Sequence, residues 1–496
     1  MFGFLQKSRE KELDYSAVQD KQRRQAPQTT VKHEEKILTP RKRSKINATS
    51  QDQMRNISLV AWMVRKHLDY VSKFHVSFRV AKNQGDTNGI ALDNLVNRIL
   101  NWHGRPQNLD ISSRFGRDEL FRMFELEKVV CGDAALLKLP DLKLQAIESD
   151  LIAKGQQAPE GVPSSGVIVD KYGKPIQYAI CNRGDSGIKH VHDRIVPASS
   201  VIFDAYWTRF GSQFRGVSPL STAINTVQDL YEAFEWNLIK AKMMALFGLA
   251  IMHDPEGTPE YGGAGGATDE TADADDTATD SNLDLNPRAV NIMDMNPGER
   301  VQTIESATPS QEFVEGSKLF VRIAMLALDI PYTCFDSNGS SFSGRIADLN
   351  EYEVSVDWKR TKNRYVRKAY SDWLIATIWN DENSPWNLRQ VAGAAGLGLR
   401  DVQESIEWIP SGSPWLDKLK QIQGDKQAIE IGEDNPIDAA RRKGQDVFAN
   451  IDKTARVFEY AKEKGVPLMF GSSGQKSVEE IVADAVKAAN EAEKEV

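Results

Sequence analysis

The alternation of apolar and polar positions divides the chain into elements of two periods. From about Asn56, Leu59, Trp62, Met63, Lys66 and Tyr70 recur at helical spacing, and His75 to Val80 then alternates as a strand does. A helical run from Asp118 to Val130 leads into a strand at Ala134–Leu139 and the short run Leu144–Ile147. The segment Gly166 to Ile180 reads as two strands joined at Tyr172-Gly173. This first part is mixed α+β. Ser218 then supplies an N-cap and Pro219 a first helical position. Leu220, Ala223, Ile224, Val227, Leu230, Tyr231, Phe234, Leu238 and Ile239 follow at spacings of three and four, so the pattern predicts one long amphipathic helix from Pro219 to Met252.

The pattern stops at Asp254. Residues 254–287 are rich in Gly, Ala, Thr and Asp, contain no Lys or Arg, and lack the apolar side chains that could offset the entropy of ordering them, so a disordered acidic insert is expected. A small β unit is predicted at Ala289–Met295 and Arg300–Ile304. A capping box at Thr308–Gln311 opens a helix carrying Phe313, Leu319, Phe320, Ile323 and Leu326 on its apolar side and ended by Pro331. The polar, turn-rich Cys334–Gly344 reads as a mobile loop, and a helix is expected from about Arg345 to Trp379. Beyond Trp408-Ile409-Pro410 the rest reads as helical, with Asn435-Pro436 and Ser477–Glu480 as helix starts.

Composition narrows the functional classes. At 496 residues and 41% hydrophobic content the chain can bury a sizeable core, and no apolar stretch is long enough to span a membrane. The polar Met1–Lys11 lacks a signal-peptide hydrophobic region, so nothing directs the chain out of the cytoplasm. Cys131, Cys181 and Cys334 are scattered without CxxC spacing, suggesting neither disulfides nor zinc. A net charge of −8 opposes tight, sequence-independent DNA binding over the whole surface, which requires cations to displace counterions. The first fifty residues are an exception: they are basic and end in Arg41-Lys42-Arg43-Ser44-Lys45, a flexible arm that could meet phosphate or an acidic partner.

Candidate chemistry fails on inspection. Asp229, Glu232 and Glu235 lie off the apolar stripe of their helix and read as a solvated face rather than as acid/base groups. Asp273, Asp275, Asp276 and Asp280 lack the Gly and Glu that an EF-hand loop needs. His190 and His192 share a strand face, yet no third zinc ligand is patterned with them. Gly471–Ser477 has the composition of a phosphate loop without its register, and no histidine after His253 can serve a serine in Gly339–Gly344. No catalytic residue, metal or cofactor is assigned, and the chain is expected not to be an enzyme.

Several segments, in order, resemble the lambda-type portal family of bacteriophages. They are Gly132–Leu137 with Leu144–Asp150, the Asp170–Tyr178 hairpin, and Val196-Pro197-Ala198 with Ser200–Phe203. The hallmark follows: Arg209-Phe210-Gly211-Ser212-Gln213-Phe214-Arg215-Gly216-Val217-Ser218-Pro219 is similar to the family's Arg-x-Gly-Gln-x-Arg-Gly pattern, with Phe210 where Pro is usual and Ser212 added. Ile330-Pro331-Tyr332, Ser340–Arg345 and Trp408-Ile409-Pro410 with Trp415–Lys420 complete the series, with Phe342, Gly344 and Lys418 in place of the family's Tyr, Ser and Pro.

The resemblance implies a multi-region α+β fold: mixed wing, long helical stem, small β/α clip and α-helical crown. The expected regions are a flexible basic arm at 1–50, wing at 51–218, stem helix at 219–252, clip at 253–309, second stem helix at 310–330, tunnel loop at 331–345, a wing and tunnel helix at 346–409, and crown at 410–496. It further implies a homo-oligomeric ring, usually a dodecamer, at one vertex of the virion and assembled in the host cytoplasm. Double-stranded DNA would pass through its channel, and its partners would be a large terminase subunit, a head–tail adaptor and the major capsid or scaffold protein, with no membrane. Ser340, Ser341, Phe342, Ser343 and Arg345 would face the channel, and Leu230, Phe234, Leu238 and Phe320 would form the stem subunit interface. Another virion structural or scaffold protein without a DNA channel remains the alternative, and a terminase- or nuclease-like enzyme would need a phosphate loop or a carboxylate cluster on strand ends.

Overall fold

The structure, a computed structural model, describes residues 32–82, 85–184, 189–246, 249–253, 299–303, 310–336, 338, 340–412 and 418–466. It is α+β, as expected, but regular structure begins earlier than the apolar pattern shows. Helices α1 (Glu34–Ile37) and α2 (Pro40–Asn56) precede α3 (Ser58–Val71). The expectation of a flexible arm to residue 50 is therefore corrected for 34–50. The reason is visible on α2, whose buried face is Ile46, Asn47, Ser50 and Gln53, three of the four polar. Gln53 Nε2, for example, donates to the Ile224 carbonyl at 2.9 Å. A helix held through polar contacts leaves no apolar stripe to read. Residues 1–31 lie outside the described residues.

Strand β1 (Phe74–Phe78), α4 (Thr87–His103), the short α5 (Pro106–Leu109) and α6 (Arg117–Cys131) follow. Next come β2 (Asp133–Lys138), β3 (Leu144–Ile147), β4 (Val167–Val169), β5 (Pro175–Arg183), β6 (His190–Pro197) and β7 (Val201–Ala205). The strands form two antiparallel three-stranded sheets, in the orders β3-β2-β7 and β4-β5-β6, whose facing residues Ala135, Leu137, Ile147, Ile152, Val167, Tyr178, Ile180 and Val196 make one core. At the α6–β2 junction Gly132 adopts φ +94°, a left-handed C-cap that a side chain would strain.

The long helix expected over 219–252 is divided in the structure. Ser218 caps only a 3₁₀ turn, Pro219–Thr222, and α7 runs from Ile224 to Leu246. Leu249–His253 is a strand, β8, paired antiparallel with β9 (Glu299–Thr303). The apolar run Leu249-Ala-Ile-Met is short enough to serve either period, and only the partner strand decides it. The β unit expected in the clip thus begins at 249; the acidic insert at 254–287 and the run Ala289–Met295 lie outside the described residues.

Helix α8 (Gln311–Met325) starts two residues later than the expected Thr308 cap implies: Ser310 is the cap, its Oγ accepting from Phe313 N at 3.2 Å, and the helix continues through a 3₁₀ turn to Leu328. The 39-residue α9 (Phe342–Asn380) begins three residues earlier than the sequence suggests, because Ser341 Oγ accepts from Gly344 N at 3.1 Å. Its first half, with Tyr352 and Val356, joins α3, α7 and α8 in one core. Its second half, with Val366, Tyr370, Leu374, Ile375 and Ile378, joins β1, α4 and α6 in another. One helix therefore ties both cores together.

After α10 (Leu388–Ala394) and α11 (Leu399–Glu404), residues Ile406–Pro410 form β10, which pairs with β1 in the register Phe74↔Pro410 to Phe78↔Ile406. This pairing across some 330 residues closes the α+β region and makes Trp408-Ile409-Pro410 a strand rather than a boundary. Helices α12 (Lys418–Glu430), α13 (Pro436–Arg442) and α14 (Val447–Lys464) end the described chain. Asn435 caps α13 as predicted, its side chain accepting from Asp438 N at 2.9 Å with Pro436 at the first helical position. Both Gly471–Ser477 and the helix start at Ser477 lie outside the described residues.

Candidate subunit interface and channel segment

The hallmark segment folds around two side chains that reach inward. Gln213 is almost fully buried; its Oε1 accepts from Thr208 N (2.8 Å), Thr208 Oγ1 (3.1 Å) and Arg209 N (3.0 Å), while Nε2 donates to the carbonyls of Tyr206 and Arg215. One amide thus satisfies the backbone of a loop that has no ladder of its own. Arg215 is also buried and forms a fork on Asp133, with Nε to Oδ2 at 2.8 Å and Nη2 to Oδ1 at 2.9 Å. Its remaining donors reach the carbonyls of Ile152, Ser165 (2.9 Å) and Ser149 (2.5 Å). Gly216 N also donates to Asp133, and a Cβ on Gly216 would stand 1.9 Å from the Gly132 carbonyl, so the two glycines let backbones meet.

Asp133 has a second cation. Arg43 of α2 donates to Oδ1 at 3.0 Å and to Oδ2 at 3.1 Å, and also bonds Ser149 Oγ. Burial alone would raise the Asp133 carboxyl, but Arg215 and Arg43 outweigh it and hold it below the usual carboxylate range. For Arg43, burial and the neighbouring Arg215 bring the guanidinium down to about 10. The basic run read as available for phosphate therefore contributes one of its cations to the interior. No single-sequence signal could pair Asp133 with arginines 90 residues before it and 82 after it.

A second buried network sits between α3, α6, β7 and α9. Glu125 accepts from His67 Nε2 (2.9 Å), Asn363 Nδ2 (2.9 Å) and Tyr206 OH (3.3 Å), and pairs with Lys128 Nζ at 2.7 Å. Lys128 also reaches Asp204 at 2.8 Å. Burial opposes the Glu125 charge, yet Lys128 and His67 hold the carboxyl well below its ordinary value, and burial lowers His67. Partnered in this way, Glu125 ties together the packing of α3, α6 and α9. His190 bonds Asp150 at 3.3 Å, and among the described residues no three His, Cys, Asp or Glu side chains converge as a metal site.

The four residues expected at a subunit interface divide. Leu230 is 1% exposed and packs inside its own chain with Leu59, Val60, Met63 and Leu328, so it cannot contact a neighbour; the sequence stripe marked the helix's inner face there. One turn further, α7 leaves that core. Phe234 is 44% exposed and Leu238 55%, and Trp236, which the stripe did not flag, is 70% exposed. On α8, Phe320 is partly exposed beside Leu319, Ile323 and the exposed Leu326 of the following turn. The helices pack through Phe234 and Phe313, whose rings meet edge to face at 5.5 Å. Together they leave large apolar side chains exposed on more than one side of the pair, since Trp236 lies about 200° around α7 from Phe234. Among the described residues no helix is long and apolar enough to cross a membrane.

The segment expected as a tunnel loop over 331–345 is shorter than the sequence suggests. Tyr332–Cys334 is a 3₁₀ turn, and Phe335 packs on Trp62 at 5.6 Å. Phe342, Ser343 and Arg345 belong to the first turn of α9, because the serine cap starts the helix before them. Ser341, Phe342 and Ser343 are exposed and Ser340 and Arg345 half-exposed, so all five lie at one end of α9. Arg345 has no ion-pair partner among the described residues.

The profile of the phage portal protein lambda family matches residues 20–358. A probable portal protein of Halomonas phage phiHAP-1 is 24% identical over 353 residues, 67% of this chain; the match spans 62% of the length of that relative. Among solved structures, a chain from the virion of a native gene transfer agent particle superposes with a TM-score of 0.41 at 14% identity, over 80% of this chain and 90% of that one. A chain from the neck of the native particle computed with C12 symmetry gives 0.40 at 14% identity, over 80% and 93%. With its family profile covering well over half of the sequence, the chain belongs to the lambda family of phage portal proteins.

Proposed function

We propose that the protein is a non-enzymatic portal subunit that assembles into a closed ring at one vertex of the virion, the channel for packaging and ejecting double-stranded DNA. The observation that carries this reading is the set of exposed apolar side chains on α7 and α8. No described residue covers Phe234, Trp236, Leu238, Leu319 and Phe320, and apolar surface on more than one side of the helix pair suits contacts with a neighbour on each side, which repeated around an axis close a ring. Twelve copies is the number the family resemblance favours. The end of α9, with Ser340, Ser341, Phe342, Ser343 and Arg345, would line the channel. There the hydroxyls and one cation per subunit could touch phosphate without holding it. A large terminase subunit, a head–tail adaptor and the major capsid or scaffold protein are the partners such a ring would need.

The test is assembly itself. Native mass measurement with negative-stain imaging of the full chain should give closed rings with a central hole, and Phe234→Asp with Trp236→Asp should leave folded single subunits. Leu230→Asp, by contrast, should unfold the subunit, because it places a charge in the core. Intact rings from the Phe234 and Trp236 double variant would remove α7 from the interface. Closed assemblies without a hole would favour the virion protein lacking a channel.

A further inference from the structure

Helix α14 carries an apolar stripe away from the body of the protein. Its start is fastened to β1: Ser77 Oγ donates to Asp446 at 2.7 Å, and Arg79, just past the strand, pairs with Asp452 at 2.9 Å and lies over the Phe448 ring. Beyond that attachment every residue from Ile451 to Tyr460 is exposed. Phe448, Ile451, Ala455, Phe458 and Ala461 nevertheless recur at spacings of three and four, on one side of the helix. Ile451 is 58% exposed, whereas Ala461, at the far end of the stripe, is the one buried residue of α14.

The chain that follows has a matching stripe. Gly465 ends α14 as a left-handed C-cap at φ +68°, and residues 467–496 lie outside the described residues. In their sequence, after the helix start at Ser477–Glu480, Val478, Ile481, Val482, Ala485, Ala488, Ala489, Ala492 and Val496 follow at spacings of one, three and four. As a helix the 20 residues 477–496 would be about 30 Å long, against about 27 Å for the 18 residues of α14. The side-chain sizes also match in one direction only. The α14 stripe is bulky at its start, with Phe448 and Ile451, and small at Ala461; the segment is bulky from Val478 to Val482 and mostly alanine afterwards. Laid antiparallel, bulky side chains meet small ones along the pair, while a parallel arrangement sets bulky against bulky at one end and alanine against alanine at the other.

We infer that residues 477–496 fold back as a helix antiparallel to α14 of the same chain and cover its apolar stripe. Ala461, beside the turn, is where the returning helix would arrive first. The ten connecting residues, 467–476, hold the segment beside its own α14 at an effective concentration on the order of millimolar, which favours that occupant over a free second copy. With six acidic and two basic residues, the segment repels its own copies, which opposes a bundle made of these segments alone. The inference does not depend on ring formation, because both helices belong to one chain.

The experiment uses the full chain with pairs of introduced thiols. Ile451→Cys is combined with Ala492→Cys, which the antiparallel register sets opposite each other, or with Val482→Cys, which only a parallel register brings near; Ile451→Cys alone gives the background from the native cysteines. After mild oxidation, thiol counting by intact mass and non-reducing electrophoresis should show the 451–492 pair closed within single chains and the 451–482 pair open. Closure between chains would assign the stripe to a neighbouring copy and overturn the same-chain helix. Closure of the 451–482 pair would overturn the antiparallel direction, and closure of neither would overturn the docking. Deleting residues 477–496 gives a second measurement: amide hydrogen exchange from Ile451 to Ala461 should speed up at least about tenfold, as expected when buried apolar side chains of a helix return to water. Unchanged exchange in that variant would overturn the covering role.

Discussion

Replacing Arg215 by methionine tests whether the hallmark segment is held by its charge network. The substitution keeps a long, packable stem but removes the fork on Asp133 and the donors to Ser149, Ile152 and Ser165. Asp133 keeps Arg43 and the Gly216 amide, while three carbonyls in the interior lose a partner. Removing one member of a buried, hydrogen-bonded ion pair costs about 3–5 kcal/mol, because the remaining charge stays desolvated. At about 2–4 °C per kcal/mol for a unit of 150–250 residues, the first thermal transition should fall by roughly 6–20 °C. The pH dependence has a definite sign. Asp133 is held below its ordinary value, so the stability it contributes is present above the unfolded carboxylate value of about 4 and is lost as the pH falls through the lower folded value. The gap between the native and Arg215→Met proteins should therefore stay constant from pH 5 to 8 and narrow below about pH 4. Scanning fluorimetry of the full chain at these pH values measures both. A drop smaller than about 3 °C at pH 7 would refute the reasoning, since it would mean that water or local rearrangement replaces the fork.

Gly216→Ala should be at least as damaging as Arg215→Met, since its Cβ would meet the Gly132 carbonyl at 1.9 Å and neither backbone is at a free end; soluble yield and the first melting transition check it. Arg345→Ala should leave rings intact and lower the amount of DNA packaged or retained. Loss of rings would instead assign Arg345 to a subunit contact, and normal assembly with normal packaging would remove it from both roles. Deleting residues 262–280 should leave subunits folded and rings closed by native mass, because that stretch has too little apolar surface to form part of a core.

The sequence determined those features that local chemistry sets. The α+β class, the hairpin at Tyr172-Gly173 and the Asn435-Pro436 helix start needed only periodicity, caps and turns, while the order of segments from Gly132 to Trp408 was legible as a resemblance to the family. What the sequence left open depended on partners distant along the chain. The helix expected from about Arg345 starts at Phe342 instead, because Ser341 Oγ accepts from Gly344 N. Leu249–His253 could continue α7 or form a strand, and pairing with Glu299–Thr303 settles the choice. Leu230 and Phe234 lie on one apolar stripe, yet the first is in the core and the second outside, because α7 outruns the helices that cover its beginning. Arg43 sits in a run of cations that looks solvated, and its carboxylate partner is 90 residues away on β2. Periodicity records which side of an element is apolar; whether that side meets its own chain, and which buried charge meets which, is decided by contacts whose partners no local pattern contains.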